Sequence, residues 1–256
     1  MESLEPVGYD VFQFNAVSGR GDALSHPVYF KGEGPAMLLL QEMPGIGPEM
    51  LRLSERFVSE GFQVYLPHLF GPLGEVDRLR NGLRILCMRR EFALFSKNET
   101  SPITAWFRAL CQRISFHNEY PKMGVIGMCL TGNFALSLMT EANVHAAVAS
   151  QPSLPVQRQD FVHMSEADIH ALRTAIDEKG QVHAYRFAGD PICTAGRFTA
   201  LDQSLNEPGN ERIKLHTLPG LGHAVLTLDL VDRDGHPTQA ALDEVVGYFS
   251  SRLISA

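Results

Sequence analysis

Val125-Ile126-Gly127-Met128-Cys129-Leu130-Thr131-Gly132-Asn133-Phe134-Ala135-Leu136 reads as an apolar strand, a Gly-x-Cys-x-x-Gly turn and the start of a helix. A reactive side chain carried on such a strand-to-helix turn sits on strained backbone, and small neighbours are needed to let the chain close up around it. Gly127 meets that need. A cysteine at this point gains from the helix N-terminus, whose partial positive charge favours a thiolate and whose free N–H groups can hold an oxyanion. The N–H of Leu130 is the first such donor. Taken alone, the segment fits equally well a Cys129 that is simply a small buried hydrophobe, the usual fate of cysteine.

Outward from this turn, short β-like runs alternate with longer amphipathic ones, and no repeat, low-complexity tract or linker breaks them up. The alternation predicts a parallel sheet covered by helices. The strands are expected over 9–15, 27–31, 36–42, 63–67, 122–128, 145–150, 182–188 and 213–218, the first two as an antiparallel hairpin at one edge. Met37-Leu38-Leu39-Leu40 and Met123-Gly124-Val125-Ile126 do not alternate, as suits central strands buried on both faces. Helices are expected over 48–60, 102–117, 130–141, 166–178, 195–205 and 238–253, with Ser165 and Gly180 capping the fourth. Val225 to Val231 reads as a short extra segment before the last helix. The stretch 70–97, with Arg78, Arg80, Arg84, Arg89 and Arg90, is the least legible and is expected to contribute a pocket wall.

A thiolate nucleophile needs a base to move its proton and an acid to orient that base. Leu218-Pro219-Gly220-Leu221-Gly222-His223 places a histidine in a glycine-rich loop after an apolar strand, at the end where doubly wound sheets carry their sites. His216 falls inside the strand pattern and His236 in a polar turn, so both read as structural. Arg186-Phe187-Ala188-Gly189-Asp190-Pro191 ends another strand with a carboxylate, whereas Asp177 and Asp202 lie on helix faces. Cys129, Asp190 and His223 thus follow the order nucleophile, acid, histidine, which is the chain order of α/β-hydrolases. Glu42 closes a further apolar strand beside the expected position of the thiol, and the next N–H, that of Met43, is the second expected oxyanion donor.

With these residues in place, the chain resembles the dienelactone hydrolase family of α/β-hydrolases. The resemblance rests on Gln41-Glu42, the Gly127-Met128-Cys129-Leu130 elbow, Gly189-Asp190 and Gly222-His223, and it runs from the third strand to the last helix. It implies one α/β-hydrolase domain over residues 1–256, with a mostly parallel sheet flanked by helices on both faces. It also implies Cys129 as nucleophile, His223 as base, Asp190 as its partner and Glu42 as a carboxylate that engages the resting thiol. The expected reaction is ester or lactone opening through a thioacyl-enzyme, without metal or cofactor. Two positions depart from the family pattern. Thr131 stands where glycine is usual. Thr227 stands where members that bind a substrate carboxylate carry an arginine, which leaves Thr227 itself and the stretch beginning at Arg78 as the expected substrate-binding positions. The same residues would serve a broad carboxylesterase or a thioesterase. A non-catalytic ligand-binding relative and a redox-sensing Cys129, with Cys193 as its partner, are the readings from other classes.

Composition sets the outer limits. A chain of 256 residues with 45% hydrophobic and 20% charged residues has the apolar content for one sizeable core. A formal net charge of −7 opposes nucleic acid and anionic membrane as partners, so the expected partner is a small molecule, with the chain monomeric or homodimeric. The acidic start Met1-Glu2-Ser3 lacks the basic and apolar regions of an export signal, and no apolar run nears the ~20 residues that cross a bilayer, which predicts a cytoplasmic location. Four cysteines without metal spacing read as reduced thiols.

Overall fold

The computed structural model of the chain describes residues 6–43, 45–71, 73, 103–155 and 158–254. Within them the elements are β1 (Asp10–Val17), β2 (Ala23–Lys31), β3 (Ala36–Leu40), α1 (Pro48–Ser59), β4 (Gln63–Pro67), α2 (Ile103–His117), β5 (Met123–Met128), α3 (Gly132–Leu138), β6 (Val144–Ser150), α4 (Glu166–Lys179), β7 (Val182–Phe187), α5 (Ala195–Leu205), β8 (Ile213–Leu218) and α6 (Pro237–Leu253). The strands form one sheet in the order β1-β2-β4-β3-β5-β6-β7-β8. β1 pairs antiparallel with β2, and β2 antiparallel with β4. From β4 through β8 every pairing is parallel.

Side chains of the central strands feed two separate cores, one on each face of the sheet. Met37, Leu39, Ile126 and Val148 pack beneath α1 and α6, while Leu38, Leu40, Val125 and Ala147 pack beneath α2 to α5. Successive residues therefore enter opposite cores, and the strand must be apolar at every position. This is why Ala36–Leu40 and Met123–Met128 are buried throughout. Burying a side chain such as Leu38 or Leu39 is worth roughly 1.5–3 kcal/mol, which makes these two strands the thermodynamic centre of the fold.

The boundaries differ from the sequence expectation where polar side chains intervene. β3 stops at Leu40, its last partner being Gly127 of β5, because Gln41 turns inward. The Gln41 Oε1 accepts from Leu69 N at 2.8 Å and its Nε2 donates to Phe70 O at 2.9 Å, replacing ladder bonds with a side-chain staple between two loops. The first hairpin is longer than expected, with Val17 opposite Ala23. Its turn is closed by Ser18 Oγ, which accepts from the N–H groups of Arg20 and Asp22. α3 ends at Leu138, where Met139, Thr140 and Glu141 tighten into bonds three residues back. The extra segment at 225–231 is a set of turns, held by Thr227 N and Asp229 N on Ala224 O. Ser165 caps α4 as expected, accepting from Asp168 N at 3.1 Å.

Candidate active site

Cys129 stands between β5 and α3 at the head of a short 3-10 turn, with φ at +54°. For a residue with a Cβ this left-handed conformation is strained, and it persists only where packing dictates it. The packing is visible around it. A Cβ at Gly127 would lie 2.2 Å from Thr131 O, and one at Gly132 would lie 2.7 Å from Pro152 Cα. Thr131 reinforces the turn: its Oγ1 accepts from Met128 N at 2.9 Å and has Leu40 O and Gln41 O within 3.0 and 3.1 Å as acceptors. The hydroxyl ties the turn to the end of β3. Ser153 N donates to Cys129 O at 2.9 Å, adding a tie to the loop after β6.

Asp190 and His223, from the loops after β7 and β8, form a hydrogen-bonded pair. Nδ1 of His223 lies 2.7 Å from Asp190 Oδ2. The other carboxylate oxygen accepts from Ile192 N at 2.8 Å and Cys193 N at 3.0 Å, so the acid is fixed before it orients the base. Burial works against protonation of His223, but the bond to Asp190 and the pull of the Cys129 sulfur outweigh it and raise the imidazole to about 10. Its Nε2 is buried without a partner of full hydrogen-bond geometry. That nitrogen is free for a reacting atom.

Glu42 is 3% exposed and lines the same cavity as Cys129 and His223. Its carboxylate is held by the Thr227 hydroxyl and by Gln151 Nε2, the latter at 2.9 Å. Burial pushes it up to about 7 despite these bonds and the charge of His223. Thr227 is thereby given a place: at 3% exposure it is a partner of Glu42 and does not line the cavity. Met43 lines the cavity beside Glu42, and Leu130 occupies the first turn after Cys129, where N–H groups lack intrahelical partners. The cavity measures about 360 Å³, and its mouth is apolar, with Ile192 and Leu221 exposed. Arg78 and the other arginines of that stretch lie outside the described residues.

Two contributors escaped the sequence reading. Gln151, itself at φ +36°, follows β6 and bonds Glu42. The available signal was a polar run, Ser150-Gln151-Pro152-Ser153, directly after the apolar Ala146-Ala147-Val148-Ala149 of that strand. Asp229 Oδ2 accepts from the N–H groups of His223 and Ala224 at 2.8 and 2.9 Å, which clamps the histidine loop. Its signal was a lone carboxylate within Val225 to Val231.

A sharp strand-to-helix turn after the central strand of a mostly parallel sheet, with an acid and a histidine delivered by the loops after the last two strands, defines an α/β-hydrolase. The dienelactone hydrolase family model matches residues 24–251, and the chain belongs to that family. Among solved structures, the chain is similar to a dienelactone hydrolase-like promiscuous phosphotriesterase from metagenomic libraries, at 13% identity and a TM-score of 0.67, covering 96% of this chain and 99% of that one. It is similar to a dienelactone hydrolase from Anabaena variabilis, at 14% identity and a TM-score of 0.58 over 96% and 99% of the two chains. A cold-adapted esterase from an Arctic intertidal metagenomic library shares 14% identity and a TM-score of 0.60 over 97% and 96%. At these identities the likeness is one of fold. No curated protein sequence matches the chain. Among the described residues no helix is long and apolar enough to cross a membrane.

Proposed function

We propose that this chain hydrolyses an uncharged ester or lactone, with Cys129 as the nucleophile and a thioacyl-enzyme as the intermediate. The observation that carries the reading is the strained Cys129 backbone at the head of a helical turn, in one cavity with a histidine already bonded to a fixed carboxylate. Strain of this kind is retained where it serves a site.

In the proposed sequence the Cys129 sulfur, with its proton on His223, attacks the substrate carbonyl, and the oxygen that becomes negative is held by the N–H groups of Leu130 and Met43. Protonated His223 gives its proton to the leaving alkoxide as the C–O bond breaks, which leaves the acyl group on sulfur. The neutral imidazole then takes a proton from water, whose oxygen attacks the thioester. Collapse of that second intermediate releases the acid and returns the proton to the sulfur–imidazole pair. Asp190 keeps the Nδ1 proton in place, so that Nε2 is the nitrogen that exchanges protons. Glu42, half-way in its titration near neutrality, sets the charge next to the thiol.

The preference for uncharged substrates follows from the cavity lining. Among the described residues its ionisable groups besides Cys129 and His223 are the carboxylates Glu42 and Asp229, and Thr227 brings Glu42 a hydroxyl where an arginine would bring a charge. A substrate carboxylate gains no ion pair from these residues. The test is turnover of a panel of aryl esters, lactones and thioesters by the wild type and by Cys129→Ala. Thioester or broad ester turnover above lactone turnover would move the substrate class while keeping the residues; unchanged turnover in Cys129→Ala would end the proposal.

A further inference from the structure

Away from the cleft, β7, β8 and α6 bring together a second polar cluster. Among the described residues, His183, His216 and Glu244 form a group of three potential metal donors, one atom from each lying within 4.8 Å of the others. In the β7–β8 register Tyr185 is opposite His216 and His183 opposite Lys214, which sets the two histidines on a diagonal of the same face. Their rings are 5.1 Å apart and 29° from parallel. α6 lays Glu244 over them, with its Oε2 3.3 Å from His216 Nδ1. None of His183, His216 and Glu244 lines the cleft cavity, so this cluster and the cleft are separate places.

We propose that His183, His216 and Glu244 bind one divalent transition-metal ion, zinc by best match, between the edge of the sheet and α6. Two imidazoles and one carboxylate are the donor types of zinc, nickel and copper, and a hard ion such as magnesium would ask for oxygens. Spacing supports zinc. Tetrahedral ligands at 2.0–2.1 Å from an ion stand about 3.3–3.4 Å from one another, and His216 Nδ1 and Glu244 Oε2 already have that separation. The His183 donor closes the set by moving in by at most about 1.5 Å, the excess of 4.8 over 3.3 Å. With three protein donors, the fourth position falls to water, and the exposure of Glu244 opens it to solvent.

The surroundings already do what an outer shell does. The Tyr185 hydroxyl is 3.3 Å from His183 Nδ1, and the Tyr185 ring stacks on His216 at 4.2 Å and 9°. Tyr248 packs against His183 at 4.4 Å. Lys214 holds the other oxygen of Glu244 at 2.9 Å. Nε2 of His216 is buried without a partner. Lys214 and Arg252 are the nearby cations that oppose the ion, and Glu211 joins Glu244 in favouring it.

The test uses full-length, tag-free protein, stripped with EDTA, desalted, and alkylated at Cys129 so that the cleft thiol takes no metal. Titration with zinc chloride by calorimetry should give one ion per chain. Cobalt chloride should give visible d–d bands without a sulfur charge-transfer band. At about a hundred times Kd, zinc should raise Tm by about 5 °C or more. Glu244→Gln, a change on the outer face of α6, should weaken zinc at least tenfold, and His216→Gln should abolish the cobalt spectrum. Absence of saturable binding up to about 1 mM zinc, or equal affinity in wild type and both variants, overturns the proposal.

Discussion

Replacing Glu42 by glutamine should stabilise the protein, and more so the higher the pH. The carboxyl is 3% exposed, and burial raises it from 4.5 to about 7 against the opposing bonds of Thr227 and Gln151. A group whose folded pKa is raised binds protons more tightly in the native state. Its favourable contribution is therefore complete below pH 4.5 and is lost as pH rises to 7. The full difference of 2.5 units corresponds to about 3 kcal/mol, of which about 2.5 kcal/mol falls between about pH 5 and pH 8. Glutamine is neutral throughout and can still accept from Gln151 and donate to Thr227. His223, held up to about 10, makes wild type and variant alike lose stability as pH rises through 6.5, so its contribution cancels from the difference between them. Urea unfolding of wild type and Glu42→Gln at the two pH values measures the effect. Comparing the stability difference at both pH values removes any constant cost of the exchange. We expect the difference to grow by about 2.5 kcal/mol towards pH 8, or roughly 5–10 °C in Tm. A difference that does not change with pH would refute the buried, late-ionising carboxylate.

The remaining expectations concern the cleft. His223→Ala should lower kcat ~10³-fold or more, and adding Cys129→Ala should cost little further, since the two act as a unit; additive losses would separate them. Asp190→Asn should be milder but still severe, and near-normal turnover would move the orienting role elsewhere. Brief iodoacetamide treatment with peptide mapping should label Cys129 ahead of Cys111 and Cys193, whose thiols burial pushes up well beyond the usual range. A wild-type preference of about 100-fold or more for a lactone bearing a free carboxylate over its methyl ester would contradict the uncharged-substrate reading.

Much of this molecule is legible in its sequence, because strand patterning and turn chemistry are local. The unbroken apolar runs at 36–40 and 123–128 determine two-sided burial and therefore a parallel sheet, and Gly-x-Cys-x-x-Gly determines a tight exit from its centre. The order Cys129, Asp190, His223 could be read because each residue follows its own strand within a few positions. Tertiary structure decided what depends on approach between distant segments. Thr227 is a partner of Glu42, and Gln151 and Asp229 hold the cleft together, only because loops after β3, β6 and β8 converge at one end of the sheet. The same holds for His216, which reads as a structural strand residue until register sets it diagonal to His183 and α6 lays Glu244 across both. Local sequence carries the period of burial. Which polar groups meet, and hence which are charged, is set by long-range packing.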